Sequence, residues 1–148
     1  MYNNEKNVET KINLYKSNYI LDKRDGDIGY DLRAETEKNI ILKPNDNILI
    51  KTGVHFKFIG GNYALVLPRS GLNKKGIKAD IGLIDTNYRG DIGVVIRNTT
   101  DKDFIIENGD RIAQLVIHPD PNIEIKRVDD IDLDTNRGNK GFGSSGTK

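Results

Sequence analysis

Residues 54–67 read Val-His-Phe-Lys-Phe-Ile-Gly-Gly-Asn-Tyr-Ala-Leu-Val-Leu and decide the fold class of this 148-residue chain. In Val54–Phe58 apolar residues alternate with polar ones, the pattern of a strand that is buried on one face. Gly60-Gly61-Asn62 then interrupts the pattern, and Tyr63–Leu67 forms a second apolar run. Two such runs joined by a glycine-rich turn predict a β-hairpin.

Further short strands are predicted on both sides of this stretch, separated by turn residues such as Pro44-Asn45-Asp46. They are Asn39–Leu42, Asn47–Lys51, Ile92–Asn98, Phe104–Glu107, Arg111–His118 and Glu124–Val128. Apolar residues nowhere recur at helical spacing over three turns, so at most one short helix is expected, around Gly71–Lys75 with Ser70 as its N-cap. Many short strands at roughly ten-residue spacing predict an all-β sandwich or jelly-roll-like barrel.

The strand pattern fades near residue 134, which divides the chain into a β domain (1–134) and a tail (135–148). The tail contains four glycines, whose backbone is costly to order, so it is expected to be flexible. It also contains Arg137, whose planar fork suits phosphate oxygens, and Phe142, on which a nucleobase can stack. Ser144 and Ser145 add hydroxyls for phosphate. The tail is therefore interpreted as a lid that orders around a nucleotide.

Composition limits the possible function classes. The 23 basic and 22 acidic side chains nearly cancel, and a net charge of +1 argues against wholesale binding to nucleic acid or anionic membrane. The chain has no cysteine, which excludes thiolate nucleophiles and cysteine-type zinc sites. Because the sequence shows neither an apolar signal region nor an apolar run of membrane-spanning length, a soluble cytoplasmic protein is expected.

Two segments could bind a metal or an anion. Asp31 is a lone carboxylate in an apolar-leaning segment, which is either a turn or edge aspartate or a ligand that holds Mg²⁺ through water. Mg²⁺ needs only one or two protein carboxylates when substrate phosphates and water complete its octahedron. In Pro68-Arg69-Ser70-Gly71-Leu72 the arginine, the serine and the free N–H groups of a helix start suit an anion. An ordinary capped turn explains that segment equally well.

Gly82–Asp91 places a carboxylate at the end of a strand, because Leu83 and Ile84 lead directly into Asp85. A carboxylate there is expected to be rigid and partly desolvated. Aspartate is ionised at neutral pH, and it can orient and deprotonate a water molecule within hydrogen-bonding reach. Tyr88 can return to the same side of the turn and offer a flat wall to a sugar. The alternative is a plain β-hairpin with Asp85 and Asn87 as turn residues.

Gln114 is the exception in a strand whose apolar residues occupy both faces. A buried amide must find hydrogen-bond partners. It is either a satisfied core amide, or it reaches a ligand phosphate or the turn that holds one. The two histidines, His55 and His118, have no visible partner and are assigned to surface or strand-end positions.

Taken in order, these four segments and the tail resemble the five motifs of the trimeric dUTPases, from Gly29 to Gly146. The resemblance implies a jelly-roll subunit, a homotrimer with shared active sites, and Mg²⁺-dependent hydrolysis of dUTP to dUMP and pyrophosphate. Such a reaction keeps uracil out of DNA and supplies dUMP for thymidylate synthesis. By similarity, Asp85 positions and deprotonates the water that attacks the α-phosphorus, and Tyr88 leaves no room for a 2′-hydroxyl.

The resemblance also assigns the remaining site residues. The hairpin from Ala79 to Asp85 would read uracil through its backbone and be too tight for a 5-methyl group. The residues that would contact the base are Ala79, Gly82, Leu83 and Ile84. The residues that would contact phosphate are Arg69, Ser70, Gly71 and Gln114, with Asp31 near the metal. A neighbouring subunit would supply the lid residues Arg137, Phe142, Gly143, Ser144 and Ser145. The chain departs from the family pattern at Lys140, usually Gly, at Ser145, commonly Thr, and at Asn87, usually acidic.

Two other functions on the same fold are considered. In dCTP deaminases a glutamate works at the base-reading hairpin and a second serine follows the Arg-Ser pair. Here Gly71 follows Ser70, and Asp85-Thr86-Asn87-Tyr88 has the hydrolase pattern. A non-catalytic interaction protein would be expected to lose ionisable and phosphate-binding residues, and this chain retains them.

Overall fold

The structure is a computed structural model and describes residues 12–147, with eleven strands and one short helix among them. In chain order the elements are β1 (Leu14–Lys16), β2 (Tyr30–Arg33), β3 (Ile40–Leu42), β4 (Asn47–Ile50), β5 (His55–Lys57), β6 (Tyr63–Leu67), α1 (Ser70–Lys74), β7 (Ile77–Ala79), β8 (Gly82–Ile84), β9 (Val94–Asn98), β10 (Phe104–Ile106) and β11 (Arg111–His118).

The strands form antiparallel sheets around one apolar core. The largest sheet has the order β2-β11-β6-β8, and the second has the order β4-β9-β7. Two ribbons, β1-β5 and β10-β3, complete the shell. In most strands alternate residues point into the core, as in β6, where Ala64 and Val66 are buried. The predicted all-β, jelly-roll-like fold is therefore confirmed.

The predicted hairpin over residues 54–67 is wrong, although both of its strands exist. Strand β5 pairs with β1, whereas β6 lies between β11 and β8. Because β6 has a hydrogen-bonded neighbour on each edge, it has no free edge for β5. Gly60 and Gly61 do turn the chain, with φ angles of 67° and 76°. Their left-handed backbone makes a corner between sheets instead of a hairpin.

The predicted strand Glu124–Val128 is also wrong for this structure. Residues 121–147 have neither strand nor helix, and all of them are exposed. Ile123 and Ile125 keep the alternation of a strand but are 73% and 91% exposed. A strand requires a hydrogen-bonded partner, and no other strand among residues 12–147 pairs with this segment.

Two smaller expectations need correction. Helix α1 begins at Ser70, so Arg69 is the N-cap residue and no side chain caps the helix. The Ser70 hydroxyl is therefore not used in capping. Strands β7 and β8 belong to different sheets, so Ala79 to Asp85 is a crossing between sheets and not a hydrogen-bonded hairpin. Across residues 12–147, no helix combines the length and the apolar character that a membrane span requires.

Candidate active site

The side chains expected to meet phosphate and metal surround one cavity of about 410 Å³ at the outer face of the largest sheet. Strand pairing explains this grouping, because Asp31 on β2 and Leu67 on β6 flank Gln114 on the central strand β11. Arg69 and Ser70 follow β6 directly. The lining consists of Asp22, Lys23, Arg24, Asp27, Ile28, Gly29, Asp31, Arg69, Ser70, Gly71, Arg111, Gln114 and Val116.

Gln114 holds the turn that leads into α1. Its Nε2 donates a hydrogen bond to the carbonyl of Pro68 at 2.9 Å. Its Oε1 lies against Gly29, where a Cβ would overlap with it. Glycine is therefore required at position 29 for Gln114 to adopt this orientation. Of the two roles expected for the amide, the structure shows the contact with the turn.

Asp31 lies between two arginines. Its Oδ1 is 3.4 Å from Nε of Arg69, and its Oδ2 is 3.6 Å from Nη1 of Arg111. Nη1 of Arg69 also donates to the carbonyl of Arg111 at 3.2 Å. These side chains are 23–46% exposed, and ion pairs that water reaches contribute only about 0–1 kcal/mol to stability. The main consequence of the network is that it orients the Arg69 guanidinium at the cavity.

The charges around this cavity favour an anion that arrives with a cation. Its basic side chains are Lys23, Arg24, Arg69 and Arg111, and its acidic ones are Asp22, Asp27 and Asp31. Four positive and three negative groups leave an excess of one positive charge. That excess suits an anion but does not neutralise a triphosphate on its own.

Asp85 lines a second, more apolar cavity of about 440 Å³ with Leu83, Ile84 and Tyr88. It follows the end of β8, and its carbonyl accepts a hydrogen bond from the N–H of Tyr88 at 3.0 Å. This bond closes the turn that places Tyr88 beside Asp85, as the sequence indicates. Asp85 itself is exposed, so the partial desolvation expected of it is not found in the single chain.

The two cavities are far apart in one chain and share no lining residue. Strands β2 and β8 are the two edges of a four-stranded sheet, so Asp31 and Asp85 are separated by about 14 Å across the strands. Asp31, Gln114 and Leu67 lie side by side on neighbouring strands, and the register of β6 with β8 puts Ile81 next to Leu67. Asp85 is four residues further, about 13 Å along the strand. The Cα atoms of Asp31 and Asp85 are therefore about 19 Å apart.

The tail lines neither cavity. Its hydrogen bonds stay within residues 133–147, such as that from Nε of Arg137 to the carbonyl of Lys140 at 2.8 Å. Gly138 and Gly143 have φ angles of 56° and 79°, which allow its successive turns. Phe142 is fully exposed. Gly143, Ser144 and Ser145, which the sequence assigns to a lid, thus lie outside both groups of site residues in one chain.

A family model described as dUTPase matches residues 16–146, nearly the whole chain and all five segments. The chain belongs to the dUTPase family. The dUTPase relatives include the deoxyuridine 5′-triphosphate nucleotidohydrolase of Wigglesworthia glossinidia brevipalpis, which is 45% identical over 126 residues and covers 82% of each chain. The enzyme of the same name from Finegoldia magna is 40% identical, over 82% of this chain and 86% of its own.

Solved dUTPase structures have the same fold. The dUTPase of Staphylococcus bacteriophage 80alpha with dUpNHpp superimposes with a TM-score of 0.82 at 29% identity, over 93% of this chain and 99% of that one. The G164S mutant of that phage dUTPase, also with dUpNHpp, gives a TM-score of 0.81 with the same coverage. The jelly-roll architecture is thus shared over almost the entire chain.

Sequence reasoning missed Arg111, which lines the same cavity as Asp31 and Arg69 in this dUTPase-family chain. Arg111 starts β11, and its ion pair with Asp31 joins residues 80 positions apart. Regular alternation would put Arg111 on the face opposite Gln114, and the irregularity between Arg111 and Ala113 that brings both to one cavity has no signal in the sequence. Sequence reasoning also left Gly90 and Asp91 without a role. Of the residues expected to read the base, Leu83 and Ile84 line the Asp85 cavity, whereas Ala79 and Gly82 do not.

Proposed function

We propose that this protein hydrolyses dUTP to dUMP and pyrophosphate by attack of water on the α-phosphorus. The observation that carries the proposal is the grouping of Arg69, Ser70, Gly71 and Gln114 around one positively charged cavity. The relatives named deoxyuridine 5′-triphosphate nucleotidohydrolase support the same substrate, as does the phage dUTPase with dUpNHpp, a dUTP analogue. In a cell the reaction keeps uracil out of DNA and supplies dUMP for thymidylate synthesis, and we place it in the cytoplasm.

Asp85 is the proposed general base. Phosphoryl substitution depends mainly on positioning and charge neutralisation, so the protein needs no covalent nucleophile. The Asp85 carboxylate orients the water and takes its proton, and Arg69 neutralises charge on the phosphate oxygens. Tyr88 packs against the deoxyribose. The backbone from Ala79 to Ile84, with Gly82 and Leu83, reads uracil and excludes the 5-methyl of thymine.

The cavity around Asp31, Arg69 and Gln114 is the proposed phosphate cavity, and its residues fit a magnesium ion that is brought by the substrate. Within residues 12–147 no cluster of three or more histidine, cysteine or acidic residues forms a protein cage for a metal. Mg²⁺ needs no such cage when phosphates and water supply most of its ligands, and aspartate oxygens are its preferred protein ligands. Asp31 would hold it, directly or through water. The side chains of the cavity have one net positive charge, and Mg²⁺ would offset the triphosphate charge that they do not neutralise.

We propose that the active site forms between subunits of a homotrimer. A water molecule held by Asp85 must lie within hydrogen-bonding reach of both the carboxylate and the phosphate, and about 19 Å between Asp31 and Asp85 leaves the two cavities of one chain too distant. A second copy can bring its Asp85 to the phosphate cavity of the first. The exposed, strand-like alternation of Ile123 and Ile125 supports pairing of this segment with another copy.

Mixed trimers test this arrangement. An Asp85→Asn chain is mixed with a chain that lacks residues 135–148, and trimers containing both are isolated through two affinity tags. If Asp85 and the lid come from different subunits, about one site in three of the isolated mixed trimers contains both intact parts. Pyrophosphate release should then rise well above that of either variant alone. Absence of recovery in proven mixed trimers would show that each subunit closes its own site.

Phe142 is the proposed stacking residue of the lid. Phe142→Ala should weaken binding of dUpNHpp by about 1–3 kcal/mol, the usual contribution of an aromatic side chain stacked on a base. Calorimetry measures the affinity, and limited proteolysis measures protection of the tail. Phe142→Trp keeps an aromatic face and should retain most of both. Unchanged affinity and protection in Phe142→Ala would contradict the stacking role.

The reaction itself is tested with a substrate panel. Pyrophosphate release is measured from dUTP, dCTP, dTTP and UTP, with Mg²⁺ and after chelation, and ammonia release from dCTP is measured in parallel. Hydrolysis of dUTP in strong preference to the others supports the proposal. Ammonia release would establish a deaminase, and nucleotide binding without any turnover would establish an interaction protein.

A further inference from the structure

We propose that Gly90 and Asp91 are positioning residues that fix the ring of Tyr88 and thereby set the selection of deoxyribose over ribose. The inference rests on the proposed function, in which Tyr88 contacts the sugar. It adds two residues that do not themselves meet the substrate. Their role follows from the packing of the turn between β8 and β9.

Gly90 provides the space that the Tyr88 ring occupies. A Cβ at position 90 would lie 2.5 Å from Oη and 2.6 Å from Cζ of Tyr88, closer than Cβ atoms approach other heavy atoms in proteins, so the ring would have to shift. The φ angle of Gly90 is not in the left-handed region, so its backbone accepts an L side chain. Glycine at this position is therefore required by the ring of Tyr88 and not by the turn itself.

Asp91 anchors the hydroxyl end of the ring. Oη of Tyr88 donates a hydrogen bond of 2.7 Å to the carbonyl of Asp91. The Asp91 carboxylate in turn accepts from the N–H groups of Thr52 and Gly53, at 3.1 and 2.9 Å. Hydrogen bonds to a charged acceptor are stronger than those between neutral groups. The carbonyl that holds Tyr88 is thus tied to the loop between β4 and β5.

The backbone of Tyr88 is fixed as well, because its N–H donates a hydrogen bond to the carbonyl of Asp85. Tyr88 is therefore held by hydrogen bonds at its backbone and at its hydroxyl, and its ring lies against Gly90, while it still lines the Asp85 cavity and is 43% exposed. If the Tyr88 ring is to exclude the 2′-hydroxyl of a ribose, it must not shift by a distance as large as that group. These two hydrogen bonds and the close fit at Gly90 supply that rigidity next to the proposed base.

A double-mutant cycle separates positioning from general damage. The measured quantity is the ratio of kcat/KM for dUTP to that for UTP. Gly90→Ala should lower this ratio roughly 10–100-fold, since a displacement of about 1 Å can change rates by that factor. Tyr88→Ala should lower it at least as much. In the Tyr88→Ala background there is no ring to displace, so adding Gly90→Ala should change the ratio by less than about twofold.

If Gly90→Ala keeps the wild-type ratio of kcat/KM for dUTP to that for UTP, the inference is overturned. It is also overturned if Gly90→Ala lowers this ratio as much in the Tyr88→Ala background as in the wild-type protein. If Gly90→Ala does not fold, Tyr88→Phe decides. This variant keeps the ring but loses the bond to Asp91, and should lower the ratio about fivefold; an unchanged ratio overturns the inference. If Tyr88→Ala keeps wild-type selectivity, the proposed role of Tyr88 fails. If the unaltered protein does not hydrolyse dUTP, the proposed function itself fails.

Discussion

Replacement of Asp85 by Asn is expected to lower kcat for dUTP about 10²–10⁴-fold, the usual contribution of a positioned general base. Asparagine keeps the shape of the side chain and can still orient a water molecule, but it cannot take the proton. The affinity for dUpNHpp should therefore remain near that of the unaltered protein. Single-turnover kinetics measure the chemical step separately from product release.

Asp101→Asn is the matched control for this substitution. Asp101 is exposed, and its side chain forms no hydrogen bond or ion pair with any residue of the described range 12–147. The same loss of one carboxylate there should change kcat by less than about twofold, as for surface substitutions in general. Turnover by Asp85→Asn close to that of the control would refute the assignment of Asp85.

Arg69→Ala is expected to lower kcat/KM about 10²–10³-fold, the effect of removing one donor that stabilises a developing oxyanion. The loss has two physical causes. The guanidinium no longer meets the phosphates, and Asp31 loses one of its two arginine partners, which leaves its charge less compensated beside an incoming anion. Steady-state kinetics with dUTP over a range of Mg²⁺ concentrations measure the effect.

Two further variants make this result interpretable. Arg69→Lys keeps the charge but lacks the planar fork that contacts both Asp31 and the Arg111 carbonyl, so it should recover only part of the activity. Lys38→Ala removes one positive charge from an exposed loop and should act like the unaltered protein. An Arg69→Ala protein as active as Lys38→Ala would show that Arg69 does not contact the reacting phosphate.

Local patterns in the sequence predicted most of the strands, but missed β1 and β7 and did not predict which strands pair. The run Tyr63–Leu67 is observed with the predicted bounds, because its residues meet the period of a strand. The partners of β5 and β6 depend on distant segments, and β11 occupies the edge of β6 that a local hairpin would have used. Turn residues such as Gly60 show that the chain turns, but not toward which sheet.

The same distinction applies to the site. The position of Asp85 after a strand could be predicted, because Leu83 and Ile84 precede it in the chain. Its distance from Arg69 could not, since that distance depends on the order of four strands in a sheet. The pairing of Arg111 with Asp31 is likewise a product of β11 lying beside β2.

The central position of β11 ties correct folding to the chemistry. Gln114 faces the cavity, while its neighbours Ala113 and Leu115 are buried in the core. Side chains alternate between faces, so a shift of β11 by one residue would turn the amide into the core and Leu115 to the outside. An unpartnered amide in the core destabilises the protein strongly. Molecules with a misaligned β11 would therefore unfold or be degraded instead of persisting as folded but inactive protein, and the active fraction of a preparation should report its folded fraction.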